Sequence, residues 1–184
     1  FYFDACLVDY AKMCEAMTPL KELMERTDKV RIIAPGTDLA FSIKGIPAIK
    51  CCGEVNIPDG EVYTAPVKNS INGVVQFNTD TVYNGIFFSN VRLGFKEGRI
   101  TEASSLANND KLQDILETDA GSRYMGEFAF GLNPGITHPI LDILFDEKIG
   151  GSFHMAIGNS YDEAPNGNSS SVHWDLIQMQ DAAH

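Results

Sequence analysis

The chain has 184 residues, 44% of them hydrophobic, and its 25 acidic against 14 basic residues give a formal net charge of -11. That length buries one sizeable core, so a single domain is expected, and the charge disfavours nucleic acid and anionic membrane while favouring cations. No apolar run approaches the ~20 residues of a bilayer span, and there is no charged-then-apolar leader pattern. Cys6, Cys14, Cys51 and Cys52 lack C-x-x-C spacing. They read as reduced thiols packed as small core residues, which predicts a soluble, cytoplasmic protein.

In chain order, the opening FYFDACLV has no initiator Met, the pattern expected of a segment cut from a longer polypeptide. Asp9 to Met17 carries apolar residues at Tyr10, Met13 and Met17, and Thr18-Pro19 restarts the pattern as an N-cap and first helical residue, giving one helix or two short ones. Strand signals follow in VRIIA, the turn PGTD, LAFSI, EVYTA and NGVVQF. The alternating run IFFSNVRLGF then returns through Lys96-Glu97-Gly98 into RITEA as a hairpin. A short helix, Asp110 to Glu117 behind an Asn109 cap, precedes GEFAFGL. Another near Pro139 to Leu144 precedes SFHMAIG and the final HWD strand. The expectation is α+β: a curled, mainly antiparallel sheet with flanking helices.

Two of the four histidines fall in the last two strand segments. Period-two alternation projects His173 and Asp175 from one face of SSVHWDLIQMQ and Val172, Trp174 and Leu176 from the other. An imidazole beside a carboxylate is half of a metal site or an acid/base pair, although an isolated HxD fits the solvent face of an ordinary amphipathic strand better. Glu61 follows the turn Pro58-Asp59-Gly60, where a side chain can reach a cleft at the sheet rim. Glu127 is an acid inside an apolar strand, where an unpaired carboxylate costs several kcal/mol and needs a cation or a strong donor. Asp146-Glu147 fits a solvated loop pair and Tyr161-Asp162-Glu163 an exposed turn. His138 fits a structural role and His184 a disordered end.

The segments GEVNIPDGEVYTAPVKNSINGVV, GEFAFGLNPGI, LFDEKIGGSFHMAIGNSYDEAPNG and SSSVHWDLIQ resemble the catalytic region of the thermophilic-type metallo-aminopeptidases, the aminopeptidase T and aminopeptidase S family. The resemblance implies an exopeptidase using two divalent ions, zinc, cobalt or manganese, set at strand ends. Its ligands map onto Glu61, Glu127, His154, His173 and Asp175, with Glu147 as a further acidic position before a lengthened KIGG. Tyr161 matches a tyrosine at or beside the metals, placed to donate to a tetrahedral oxyanion, and Glu127 a carboxylate able to shuttle a proton. Four carboxylates against two dications, with neutral imidazoles, make a neutral assembly that can be buried. Ions ~3.5–4 Å apart would activate a water, and one could hold the free α-amine of a peptide, making the reaction an aminopeptidase's.

The resemblance further implies that residues 1–184 are the C-terminal catalytic domain of a larger aminopeptidase, without its N-terminal domain and last strands, and that the full-length protein is a homodimer. Activity of the isolated chain is accordingly expected to be low. A catalytically silent module of the same fold, serving metal binding or subunit association, is the alternative. A third reading makes Glu61 and Glu127 a glycosidase pair, against which the two histidines argue.

Overall fold

The computed structural model describes residues 1–180, so the expectation for His184 falls outside the described residues. In chain order the elements are α1 (Tyr2–Cys6), α2 (Tyr10–Arg26), β1 (Lys29–Ala34), β2 (Thr37–Ser42), β3 (Ile49–Cys51), β4 (Glu61–Thr64), β5 (Asn72–Gln76), β6 (Thr81–Tyr83), β7 (Ile86–Phe88), β8 (Arg92–Lys96), β9 (Arg99–Ser104), α3 (Asn109–Leu116), β10 (Met125–Gly131), α4 (Ile143–Asp146), β11 (Ser152–Gly158) and β12 (His173–Met179). The α+β class and the antiparallel pairing are as expected. The strands divide between two five-stranded sheets, ordered β1-β2-β5-β8-β9 and β12-β11-β10-β4-β3, and a β6-β7 ribbon.

The two sheets share one core. Leu39, Phe41, Val75 and Leu93 of the first face Val62, Phe128, Met155, Trp174 and Leu176 of the second, and α2 adds Met13, Met17 and Met24. Phe41 meets Phe128 edge-on with ring centroids 5.0 Å apart. Each such side chain contributes about 1.5–3 kcal/mol on burial, so these faces are what hold the sheets together.

Several boundaries differ from those read in the sequence. Asp9, not Thr18, caps α2 by accepting from Lys12 N, and the helix runs through Pro19. Thr18 Oγ1 bonds back to the Cys14 carbonyl instead, and Lys50 Nζ donates to both groups. Met17 and Met24 stay buried on either side of the proline, so packing overrides its helix-breaking tendency. The run IFFSNVRLGF breaks at Asn90, whose φ of 53° is in the left-handed region that Asn tolerates; β7 joins β6 while β8 joins the first sheet. The hairpin at Lys96-Glu97-Gly98 forms as expected. Asn108 rather than Asn109 is the N-cap of α3. α4 starts later than expected because the Asp146 carboxylate accepts from Ile140 N and Leu141 N, folding that stretch into a turn.

β12 is anchored just before its first residue. Asp119 accepts from Ser171 N at 2.8 Å, Ser170 Oγ at 2.8 Å and Gly121 N at 2.9 Å. These bonds, that from Ser171 N foremost, hold its carboxyl well below the usual carboxylate range. A depressed folded value means the stabilisation is complete above the unfolded value, about 3.9, and fades as the pH falls toward the folded one. Asp119→Asn is therefore expected to lower Tm at pH 7 and to approach wild type below about pH 3. Calorimetry across pH checks this, and a gap that widened in acid would contradict it.

Candidate metal centre

The second sheet has one face in the core, and its other face carries the polar residues. Glu61, Glu127, His154, His173 and Asp175 all lie on that second face, as strand alternation requires. On one side each has a small cross-strand partner: Gly131 opposite Glu61, Ala129 opposite His154, Ala156 opposite Glu127 and Asp175, and Gly158 opposite His173. Small partners leave room for the charged side chains to converge.

Two glycines allow the close approaches. Gly60, at φ 133°, precedes Glu61, and a Cβ there would lie 3.0 Å from Asn133 Cβ and from Met13 Sδ. At Gly126, beside the register shift that turns Glu127 inward, a Cβ would lie 1.9 Å from the Asn159 carbonyl oxygen.

The solvent-face reading of His173 and Asp175 does not hold. Asp175 is 5% exposed and His154 fully buried. Residues 147–148 and 159–161 lie over the face, reaching Glu61, His173 and Tyr63. Nor is Asp146-Glu147 a solvated pair, since both are buried: Asp146 caps the preceding turn and Glu147 points into the site.

Six side chains converge: Glu61, Glu127, Glu147, His154, His173 and Asp175. His154 Nε2 is 3.2 Å from Glu61 Oε2, 3.4 Å from Glu127 Oε1 and 4.0 Å from Asp175 Oδ1. His173 Nε2 is 3.2 Å from Glu127 Oε2 and 3.7 Å from Asp175 Oδ1. Its Nδ1 donates to the Asn159 carbonyl at 2.9 Å, which sets the tautomer and leaves Nε2 for the cluster. Glu61-Glu127-His154, Glu127-His173-Asp175 and Glu147-His154-Asp175 each offer ligand atoms within 4.8 Å of one another and could hold an ion. Glu61 Oε2, His154 Nδ1, His173 Nε2 and Asp175 Oδ1 are buried without a hydrogen-bond partner. Each such atom costs about 1–3 kcal/mol, and this mixed nitrogen and oxygen set fits a divalent cation.

The electrostatics agree. Burial opposes protonation of both imidazoles, yet the adjacent carboxylates, Glu127 foremost, outweigh it. His154 is raised well above its ordinary value and His173 is pushed up to about 9. Burial likewise works against ionised Glu127, but His154 and His173 hold it below the usual carboxylate range. The carboxylates thus favour positive charge at this place, and binding of a metal ion to the imidazoles would release any proton they hold.

Tyr161 sits in the exposed turn its neighbours predict, yet its ring is 4.7 Å from that of His173. Burial and then Glu127 and Asp175 raise its phenol above the ordinary value, keeping the donor proton on. His138 is exposed, with its ring stacked 4.4 Å from that of Phe1.

Two neighbours were missed. Lys148 is fully buried, donates to Glu147 Oε1 and lies 3.8 Å from Glu61 Oε1. Its charge leaves a cluster loaded with two dications one positive charge above neutral, correcting the sequence-based count. A lysine following Asp146-Glu147 looks like more surface charge; its position between buried Phe145 and Ile149 was the available signal. Cys51, half-buried against the smaller core cluster of Ile46, Tyr63 and Ala129, is also the cross-strand partner of Glu61, whereas Cys52 is buried against Met17. All four cysteines are free. Among the described residues, no helix is long and apolar enough to cross a membrane.

Known proteins share this architecture and sequence. Aminopeptidase AmpS of Bacillus subtilis is 35% identical over 141 residues, covering 70% of this chain and 34% of that protein. The structure of wild-type AmpT from Thermus thermophilus superposes with a TM-score of 0.78 at 26% identity, covering 95% of this chain and 50% of that one. The 2,5-dihydroxypyridine dioxygenase of Pseudomonas putida KT2440 also reaches a TM-score of 0.78, over 96% of this chain and 56% of its own, but at 15% identity that likeness shows the fold alone. This chain thus spans about a third of the Bacillus relative and half of the Thermus one. A family model described as thermophilic metalloprotease (M29) matches residues 8–183, nearly the whole chain, and the chain belongs to that family.

Proposed function

We propose that this chain is the metal-bearing catalytic part of an aminopeptidase, releasing the N-terminal residue from peptides at a centre of two divalent ions held by Glu61, Glu127, Glu147, His154, His173 and Asp175. The observation that carries this reading is the convergence of Glu61, Glu127, His154, His173 and Asp175 on one sheet face, where Glu61 Oε2, His173 Nε2 and Asp175 Oδ1 are buried without a hydrogen-bond partner. The names of the relatives supply the reaction class. A glycosidase pair fits poorly, because His154 Nε2, 3.2 Å from Glu61 and 3.4 Å from Glu127, fills the space a sugar would need. Four free thiols suit a reducing cytoplasm.

When bound, the ions would supply the Lewis acidity that activates water and polarises the peptide carbonyl. The protein's own groups have separate tasks. Glu127 faces both imidazoles, one through each oxygen, and is the central carboxylate, placed to take a proton from water and pass it to the leaving amine. Tyr161, protonated beside His173, donates to the developing oxyanion. Asn159 keeps His173 in the tautomer that offers Nε2 to the site.

Zinc, cobalt or manganese at ~100 times Kd is expected to stabilise the chain by about 2.7 kcal/mol per site, a rise in Tm of roughly 5–10 °C. His173→Ala and Asp175→Asn should each weaken metal binding by at least ~10–100-fold while changing the metal-free Tm far less, since Trp174 and Leu176 remain packed. Thermal scans and competition titrations read both quantities. No shift with any of the three metals would contradict the reading.

Hydrolysis of leucine p-nitroanilide provides the functional test. Whatever turnover the chain shows should vanish on chelation and return with metal, and Glu127→Gln should reduce kcat by about 10²–10⁴ even at metal concentrations that saturate the variant. Chelator-resistant turnover would refute a metallo-aminopeptidase.

A further inference from the structure

The ion pairing around the candidate centre includes one cation that the proposed chemistry does not use. Lys148 is completely buried, and its ammonium faces two of the six clustered side chains, hydrogen-bonding Glu147 Oε1 and lying 3.8 Å from Glu61 Oε1. Its place is fixed by the backbone: Lys148 N donates to the Phe145 carbonyl at 3.1 Å, and Lys148 O accepts from Asn133 N at 3.0 Å. Asn133, also buried, donates from its side chain to the carbonyls of Ala5 and Asp59, and Leu132 N donates to Gly60 O. The same knot of hydrogen bonds therefore positions the turn before Glu61 and the ammonium that faces it.

We propose that Lys148 is a positioning residue of this centre, a built-in cation that orients Glu147 and Glu61 through one oxygen each and keeps the buried carboxylate cluster folded when no metal ion is bound. The part concerning metal rests on the reading given under Proposed function. With Lys148 on Glu61 Oε1, the other oxygen is the one turned to His154 Nε2 at 3.2 Å, so Glu61 presents a single oxygen to the shared space. The fixed positive charge has two opposite effects. It offsets repulsion among Glu61, Glu127, Glu147 and Asp175, and it repels an incoming dication. Lys148 thus lowers the affinity of the site for ions and in return makes folding less dependent on them.

The test compares wild type, Lys148→Met, Glu147→Gln and the double variant, each stripped with EDTA and dialysed, then scanned calorimetrically without and with zinc. Without metal, Lys148→Met should lower Tm by roughly 6–20 °C, because it leaves a buried carboxylate uncompensated. Adding Glu147→Gln should recover at least half of that loss, a rescue that a purely space-filling lysine would not show. The rise in Tm produced by zinc should be larger in Lys148→Met than in wild type. Folding by the double variant when the single variant cannot fold would also support the proposal. An unchanged metal-free Tm in Lys148→Met, a loss that Glu147→Gln fails to rescue, or a zinc shift no larger than that of wild type would overturn it. If wild type itself bound no zinc while the rescue held, the pairing would stand and the metal-centre reading would fall.

Discussion

The candidate centre is governed by the burial of four carboxylates on one face of one sheet. Glu61, Glu127, Glu147 and Asp175 are each at least nine-tenths buried. A buried ion forfeits several kcal/mol of hydration, and neighbouring like charges add to the cost. Such a cluster persists only with positive charge among it. Lys148 provides one unit, and His154 and His173 provide more when protonated, at the expense of opposing their own burial. The misaligned contacts and unpartnered atoms that remain are those a divalent cation would complete.

The fold meets this constraint by separating tasks between the faces of a single sheet. On the core side, Val62, Phe128, Met155, Trp174 and Leu176 hold β4, β10, β11 and β12 in register. On the far side, the same register sets each charged residue opposite Gly or Ala, so the ligands converge without contesting space. Preorganisation of this kind comes from the apolar core: the geometry of the site is fixed before any ligand arrives. The likeness to a dioxygenase at 15% identity indicates that the scaffold is general and that the chemistry belongs to the side chains mounted on it.

Much of this was legible in the sequence, and the failures have a common cause. Period-two alternation placed His173 and Asp175 on the face opposite Trp174, and the acid embedded in FAFGL announced Glu127 as a buried charge. The match of motifs then joined strand segments that no local pattern connects. What the sequence concealed was which outward face becomes covered. Asp146 and Glu147 read as solvated because local composition cannot reveal that Asn133, just after β10, folds their segment onto the sheet. Pro19 left one helix or two open, and Met17 and Met24 on either side of it pack into one core and carry a single helix through. Asn90 breaks the long alternating run through a backbone conformation that few residues adopt, but nothing in the run itself required the break.

The central claim is that these buried atoms make a two-ion centre. The most direct measurement is an anomalous difference map from crystals of this chain grown with zinc, collected on both sides of the zinc absorption edge. Two peaks are predicted among Glu61, Glu127, Glu147, His154, His173 and Asp175, ~3.5–4 Å apart. A map with no anomalous density inside this cluster at saturating zinc would contradict the account.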